Sequence, residues 1–140
     1  MSDERGKIHS RNRARQIIDF SGLRFGNITP TDIDGMIEYK NKALIYYEFK
    51  LKGNKMPDGQ RLAFEREVQD HAKVGKRAIA ILLEHEVFDY SIDIPAAYCT
   101  VSKYYLNPNR GWIKPKSRET ALSLTEKFIR WVDAGSGIGA

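Results

Sequence analysis

Two stretches, Pro30-Thr31-Asp32-Ile33-Asp34-Gly35 and Ala43-Leu44-Ile45-Tyr46-Tyr47-Glu48-Phe49-Lys50, decide how this chain is read. Both are strand-like, yet both carry charged side chains at alternate positions. An unpaired buried charge is costly, so such alternation marks a strand face turned toward a cleft. Folding the two runs back on each other about Asn41 gives an antiparallel hairpin that sets Asp34 opposite Glu48 and Asp32 opposite Lys50. Directly paired residues on one face have Cβ atoms about 5 Å apart, which suits two carboxylates sharing one divalent cation. The strand period places Asp32, Asp34, Glu48 and Lys50 on one face and Ile33, Ile37, Ile45, Tyr47, Phe49 and Leu51 on the other.

Outward from the hairpin, the expected element order is helix, strand, strand, helix, strand. Ser10 can cap a first helix over Arg11–Phe20, with Ala14, Ile17 and Ile18 forming its apolar stripe. Lys40-Asn41-Lys42 is the hairpin turn. After the turn-rich segment Gly53–Gly59, a helix runs from Gly59 or Gln60 to Val74. Asp58 is its candidate cap, Leu62, Phe64, Val68 and Ala72 form its apolar side, and Gly75 stops it. His71 shares the face of Phe64 and Val68 and reads as a partly buried structural residue. Arg77–Leu83 is a near-continuous apolar run of strand length, as expected for a strand buried on both faces. Glu84–Asp93 holds four acids and no Lys or Arg, and reads as an acidic loop. Ala96–Leu106 and Gly111–Lys114, separated by Asn107-Pro108-Asn109, suggest a second hairpin. A final helix over Arg118–Val132 has Ser117 or Thr120 as its cap.

The whole chain, 140 residues, is expected to be a single α/β domain with a flexible arm at 1–9 and a flexible tail at 134–140. No run reaches the roughly 18 apolar residues needed to span a bilayer, and Met1-Ser2-Asp3-Glu4-Arg5 lacks the apolar region of a secretory signal. The expectation is a cytoplasmic protein without a membrane partner. The single cysteine, Cys99, rules out an internal disulfide and any multi-cysteine zinc site, and its β-rich surroundings place it in the sheet or core. A formal charge of +5 and a pI near 9.3 favour a polyanionic partner. The basic residues concentrate in Arg11, Arg13 and Arg15 and in the stretch Lys103, Arg110, Lys114, Lys116 and Arg118, where Tyr104, Tyr105 and Trp112 are interleaved. That mixture suits phosphate contact with base stacking, or a cationic hairpin whose aromatics belong to the core.

Asp34 followed by Glu48-Phe49-Lys50 on the facing strand resembles the PD-(D/E)XK, or restriction-endonuclease-like, nuclease superfamily, and its small phage-encoded members in particular. The resemblance covers about residues 11–85. It implies a mixed central sheet flanked by helices, with a C-terminal hairpin and helix as an elaboration. It also implies a metal-dependent DNA endonuclease using Mg²⁺ or Mn²⁺. Asp34, Glu48 and the Phe49 backbone carbonyl would be the metal ligands, and Lys50 would hold the attacking water or offset phosphoryl charge. Gln60 resembles a glutamine that those relatives carry at the head of the next helix. The literal Pro-Asp pair is missing, so Asp32 competes with Asp34 or holds a second ion. Asp19 is the candidate for an acid that many members carry on the first helix. The second E-x-K tripeptide, Glu38-Tyr39-Lys40, is excluded by distance, because Glu38 lies four residues along the same strand from Asp34, about 13 Å away.

A chain of this size has little room for a separate base-reading domain, which favours structure or end recognition, or a protein partner that supplies specificity; a homodimer is compatible with the resemblance, because one such site cuts one strand. Two other readings remain open at this point. A catalytically inactive DNA-binding or protein-interaction module could keep the same fold. In the plainest reading Asp32 and Lys50 form a salt bridge on an ordinary hairpin, worth little for stability.

Overall fold

The structure, a computed structural model, describes Gly6, Lys7 and residues 9–135, with the side chains of Arg13 and Ala14 outside the described part. Most of the expected arm and the tail beyond Gly135 lie outside it too. The chain divides into two compact units, Met1–Pro30 and Thr31–Ala140.

In the first unit, helix α1 covers only Arg11–Ala14, far short of the expected Arg11–Phe20. Ile17 and Ile18, the expected core of its stripe, are 91% and 76% exposed. A helix this short has little stability without a surface on which to bury an apolar face, and these side chains find none. A 3-10 turn at Ser21–Leu23 follows, then a tight turn closed by reciprocal backbone bonds between Phe25 and Ile28 at 2.9 and 3.0 Å.

Among the described residues, the second unit is an α/β structure of five strands and two helices. Its strands are β1 (Gly35–Tyr39), β2 (Ala43–Leu51), β3 (Arg77–His85), β4 (Thr100–Leu106) and β5 (Trp112–Ile113), and its helices are α2 (Asp58–Ala72) and α3 (Ala121–Asp133). The sheet order is β1-β2-β3-β4-β5. Only β2 and β3 are parallel, because only they are joined by a crossover helix; the other neighbours pair antiparallel.

The hairpin has the expected register, Gly35 against Tyr47 through Tyr39 against Ala43. Its turn is closed by the Lys42 N–H on the Tyr39 carbonyl at 2.9 Å. Lys40 and Asn41 both take positive φ, 51° and 58°, the backbone twist that suits tight hairpins. The Glu38 carboxylate accepts the Asn41 N–H at 2.8 Å, so the acid of the second E-x-K tripeptide serves the turn.

Residue parity sorts β2. Ile45, with Ala43 and partly buried Tyr47 and Phe49, joins Ile79, Ile81, Leu83, Leu124 and Phe128 beneath α3. Tyr46, with partly buried Leu44, joins Phe64, Val68, Ala80 and Tyr105 beneath α2. Residues 78–83 of β3 are all buried, as expected for a strand covered on both faces.

Helix α2 starts one residue earlier than expected. Pro57, not Asp58, takes the N-cap position and supplies no side-chain bond. Gly75 (φ +76°) ends the helix, with its N–H on the Ala72 carbonyl at 3.0 Å and the Lys76 N–H on the His71 carbonyl at 3.0 Å, a Schellman closure. His71 is part-buried against the Tyr46 hydroxyl at 3.0 Å. Thr120 caps α3 in a reciprocal capping box with Ser123. Cys99 is free and buried, and burial pushes its thiol pKa up.

The turn at Asn107 proved to be a structural pin. Asn107 is fully buried. Its side chain accepts the Ala78 N–H at 3.1 Å and donates to the carbonyls of Val68 and Lys76 at 2.8 and 3.1 Å, tying α2, β3 and β4 together.

Candidate functional site

Regular β1 pairing stops at Gly35, and the next residue back changes the pattern. The Asp34 carboxylate accepts the Phe49 N–H at 2.8 Å, replacing the ladder bond that β1 no longer makes. This holds an exposed acid beside the Glu48-Phe49 peptide, where its charge acts on the Glu48 carboxylate.

Glu48 is 5% exposed. Its Oε1 pairs with Lys50 Nζ at 3.1 Å, while Oε2 is buried without a hydrogen-bond partner. Burial pushes the Glu48 carboxyl above its ordinary pKa; Lys50 opposes the shift, the Asp34 charge adds to it, and the Gln60 amide beside Glu48 opposes it. The Asp32–Lys50 salt bridge of the plainest reading does not form among the described residues, because Lys50 turns along its own strand to Glu48. Asp32 lies before β1, exposed, and contributes its backbone carbonyl.

That carbonyl accepts Gln60 Nε2 at 3.2 Å. Gln60 is the third residue of α2, so the start of the helix delivers its amide to Glu48. Gln60 Oε1, like Glu48 Oε2, is buried without a partner. An unsatisfied buried acceptor costs about 1–3 kcal/mol, and two lie in the same neighbourhood.

Two further residues join this face. β3 continues past Leu83, so Glu84 lies in register with Lys50 rather than in the acidic loop expected from the sequence. Only the parallel pairing of β2 and β3 brings them together; the signal was the continuation of the apolar run by alternation. Glu48 pairs with Leu82, which pairs with Lys103, so Lys103 stands in the same cross-sheet row, two strand spacings or about 10 Å from Glu48.

The basic-aromatic stretch resolves in favour of core aromatics. Tyr105 is buried, Tyr104 packs toward the α3 core, and Trp112 packs on Tyr105 with ring centroids 5.4 Å apart. The Trp112 indole N–H is held by Glu65 at 3.0 Å, and Lys103 Nζ sits 5.0 Å from the ring centroid, so these rings are committed to packing. Arg110, Lys114 and Lys116 remain exposed. Arg11 and Arg15 are exposed in the first unit, and the Arg13 side chain is outside the described part. Asp19 is also in the first unit, beyond the end of α1, where its carboxylate accepts the Ser21 N–H at 2.9 Å.

Among the described residues, no three His, Cys, Asp or Glu side chains form a group that could hold a metal ion by themselves. None of their helices is long and apolar enough to cross a membrane. No protein-family model matches the chain, and no curated protein or solved structure matches it.

Proposed function

We propose that the second unit is a divalent-metal-dependent nuclease of restriction-endonuclease-like fold that hydrolyses DNA, with Asp34, Glu48 and Lys50 at its centre. The observation that carries this reading is the environment of Glu48. A carboxylate buried to 5% exposure with one oxygen unpartnered is a poor structural element. It becomes a favourable one when a cation stands against the free oxygen. The β1-β2-α2-β3 order and the Asp34…Glu48-Phe49-Lys50 spacing agree with the family resemblance.

The donor set fits a hard cation, which prefers oxygen ligands and keeps several waters. Asp34 and Glu48 supply carboxylates, and the Phe49 carbonyl is the neutral donor that the resemblance implies. When bound, such an ion polarises a phosphodiester and lowers the pKa of a coordinated water. Lys50, at 3.1 Å from Glu48, places a positive charge beside the carboxylates, where it can steady the attacking water or charge on a phosphoryl oxygen. Lys103, in the same cross-sheet row, and the exposed Arg110, Lys114 and Lys116 offer phosphate contacts. Asp32 supplies a carbonyl anchor for Gln60 in place of a lysine partner.

The test is incubation of the purified protein with plasmid, single-stranded and branched DNA in Mg²⁺ or Mn²⁺. Cleavage in wild type that is lost in Glu48→Ala and in Lys50→Ala supports the assignment, and cleavage that survives either change overturns it. The Glu48–Lys50 ion pair also favours a second reading, a DNA-binding module in which this pair is structural. Salt-sensitive DNA binding with no strand cut in either metal would select that reading.

A further inference from the structure

We propose that Gln60 is a direct ligand of the cation, through Oε1, and that the start of α2 is thereby part of the metal site; this inference rests on the metal-dependent reading above. Three observations carry it. Gln60 Oε1 is buried and has no hydrogen-bond partner. The other buried orphan among the described residues is Glu48 Oε2, and the Gln60 contact to the Asp32 carbonyl, with the Asp34 carboxylate on the Phe49 N–H, sets both residues at the same end of the hairpin. Finally, Gln60 Nε2 donates to the Asp32 carbonyl at 3.2 Å, which fixes the sense of the amide. Turning it over would set the amide oxygen against that carbonyl, acceptor against acceptor.

Two buried acceptors that lack donors at the same end of the hairpin form a poor hydrogen-bonding arrangement and a good cation-binding one. A donor shared between them would need a proton, whereas a hard cation accepts both oxygens at once and tolerates amide carbonyls as readily as carboxylates. The neutral amide suits the position. A third carboxylate beside Glu48 and Asp34 would add repulsion in the unloaded site and hold the ion more tightly. The Asp32 carbonyl then acts as the outer partner that orients a ligand, in the way that outer hydrogen bonds orient metal-binding side chains generally. Asp32 thus enters the site through its backbone.

The experiment is Mn²⁺ titration of the full chain, followed by the electron paramagnetic resonance of free Mn²⁺, for wild type, Gln60→Met, Gln60→Glu and Glu48→Gln. Gln60→Met keeps the length and removes the oxygen; it should weaken Mn²⁺ binding by roughly tenfold or more, and Gln60→Glu should bind at least as tightly as wild type. Melting in EDTA provides the control. Gln60→Met should melt within a few degrees of wild type, and the Tm rise produced by Mn²⁺ should shrink. Wild-type affinity in Gln60→Met, with binding lost in Glu48→Gln, would remove Gln60 from the ligand set and leave the metal reading intact. Failure of wild type to bind Mn²⁺, with and without DNA, would overturn both.

Discussion

On the α3 face of the sheet, apolar burial runs the length of the strands. Ile45, Ile79, Ile81 and Leu83 are each exposed by 1% or less, and the polar groups at the margin are matched, with Tyr47 meeting Thr125 at 2.6 Å and Tyr39 donating to Asp133 at 2.7 Å. On the α2 face the same two strands bury Tyr46, Ala78 and Ala80 against Phe64 and Val68. One row further along stand Glu48, Leu82 and Lys103, with two buried oxygens unmatched nearby. Alternate residues of β2 are thereby divided between the apolar core and the proposed site. A strand can hold a buried acid because its odd-numbered neighbours secure it from the opposite side.

The largest expected effect separates the faces outright. Glu48→Ala should lower DNA cleavage by on the order of a thousandfold, about 4 kcal/mol of barrier, while its far-ultraviolet circular dichroism stays that of the folded protein. Leu83→Ala should do the reverse, losing about 3 kcal/mol in urea denaturation with unchanged cleavage per folded molecule. If Glu48→Ala unfolds the protein as Leu83→Ala destabilises it, the division between the two sheet faces is wrong.

Asn107 comes next. Replacing it with Ala leaves the Ala78 N–H and the carbonyls of Val68 and Lys76 without their partner, and should cost about 2 kcal/mol or more, read by the same denaturation. Thr120→Ala removes the cap of α3 and should cost about 1 kcal/mol. Because α3 covers only the apolar face, the change should leave Mn²⁺ affinity untouched; a weakened ion would show that the two faces are coupled.

The finest comparison is between adjacent tyrosines on opposite faces. Burial raises the Tyr46 hydroxyl pKa and the Glu67 carboxylate raises it further; burial also raises Tyr47, against a smaller lowering by Thr125. A raised pKa means the folded state holds the proton more firmly than the unfolded chain does. Stability is therefore present below the ordinary tyrosine value of 10.0 and is lost as pH rises above it. Tyr46→Phe and Tyr47→Phe should each flatten the decline in melting temperature above about pH 10. A slope unchanged from wild type in both would show that neither hydroxyl is held as described.

Much of this was legible in the chain. The hairpin register followed from alternation and a short polar turn, since both constraints act between residues close in sequence. Burial of β3 on both faces followed from its unbroken apolar run, whereas the sequence offers Ser117 or Thr120 as the cap of a helix over Arg118–Val132, and the capping box with Ser123 selects Thr120 and starts α3 at Ala121. The first helix was misread because an apolar stripe states what a helix could bury, without showing that a surface is there to receive it. Asn107 reads as a turn residue because nothing local announces that three separated segments meet at its side chain.

The site divides in the same way. The sequence alone determined the hairpin register as far as Gly35 and that Glu48 and Lys50 share a side, because strand periodicity and the short turn act between residues close in the chain. Tertiary structure decided the rest. It ended β1 at Gly35 and set the Asp34 carboxylate on the Phe49 N–H. It gave Lys50 to Glu48 instead of Asp32, and brought Glu84 beside Lys50 through parallel pairing across a crossover. It also seated α2 so that Gln60 reaches Glu48. Each of these depends on where one element stops or how another docks, and those outcomes are set by packing among residues far apart in the chain.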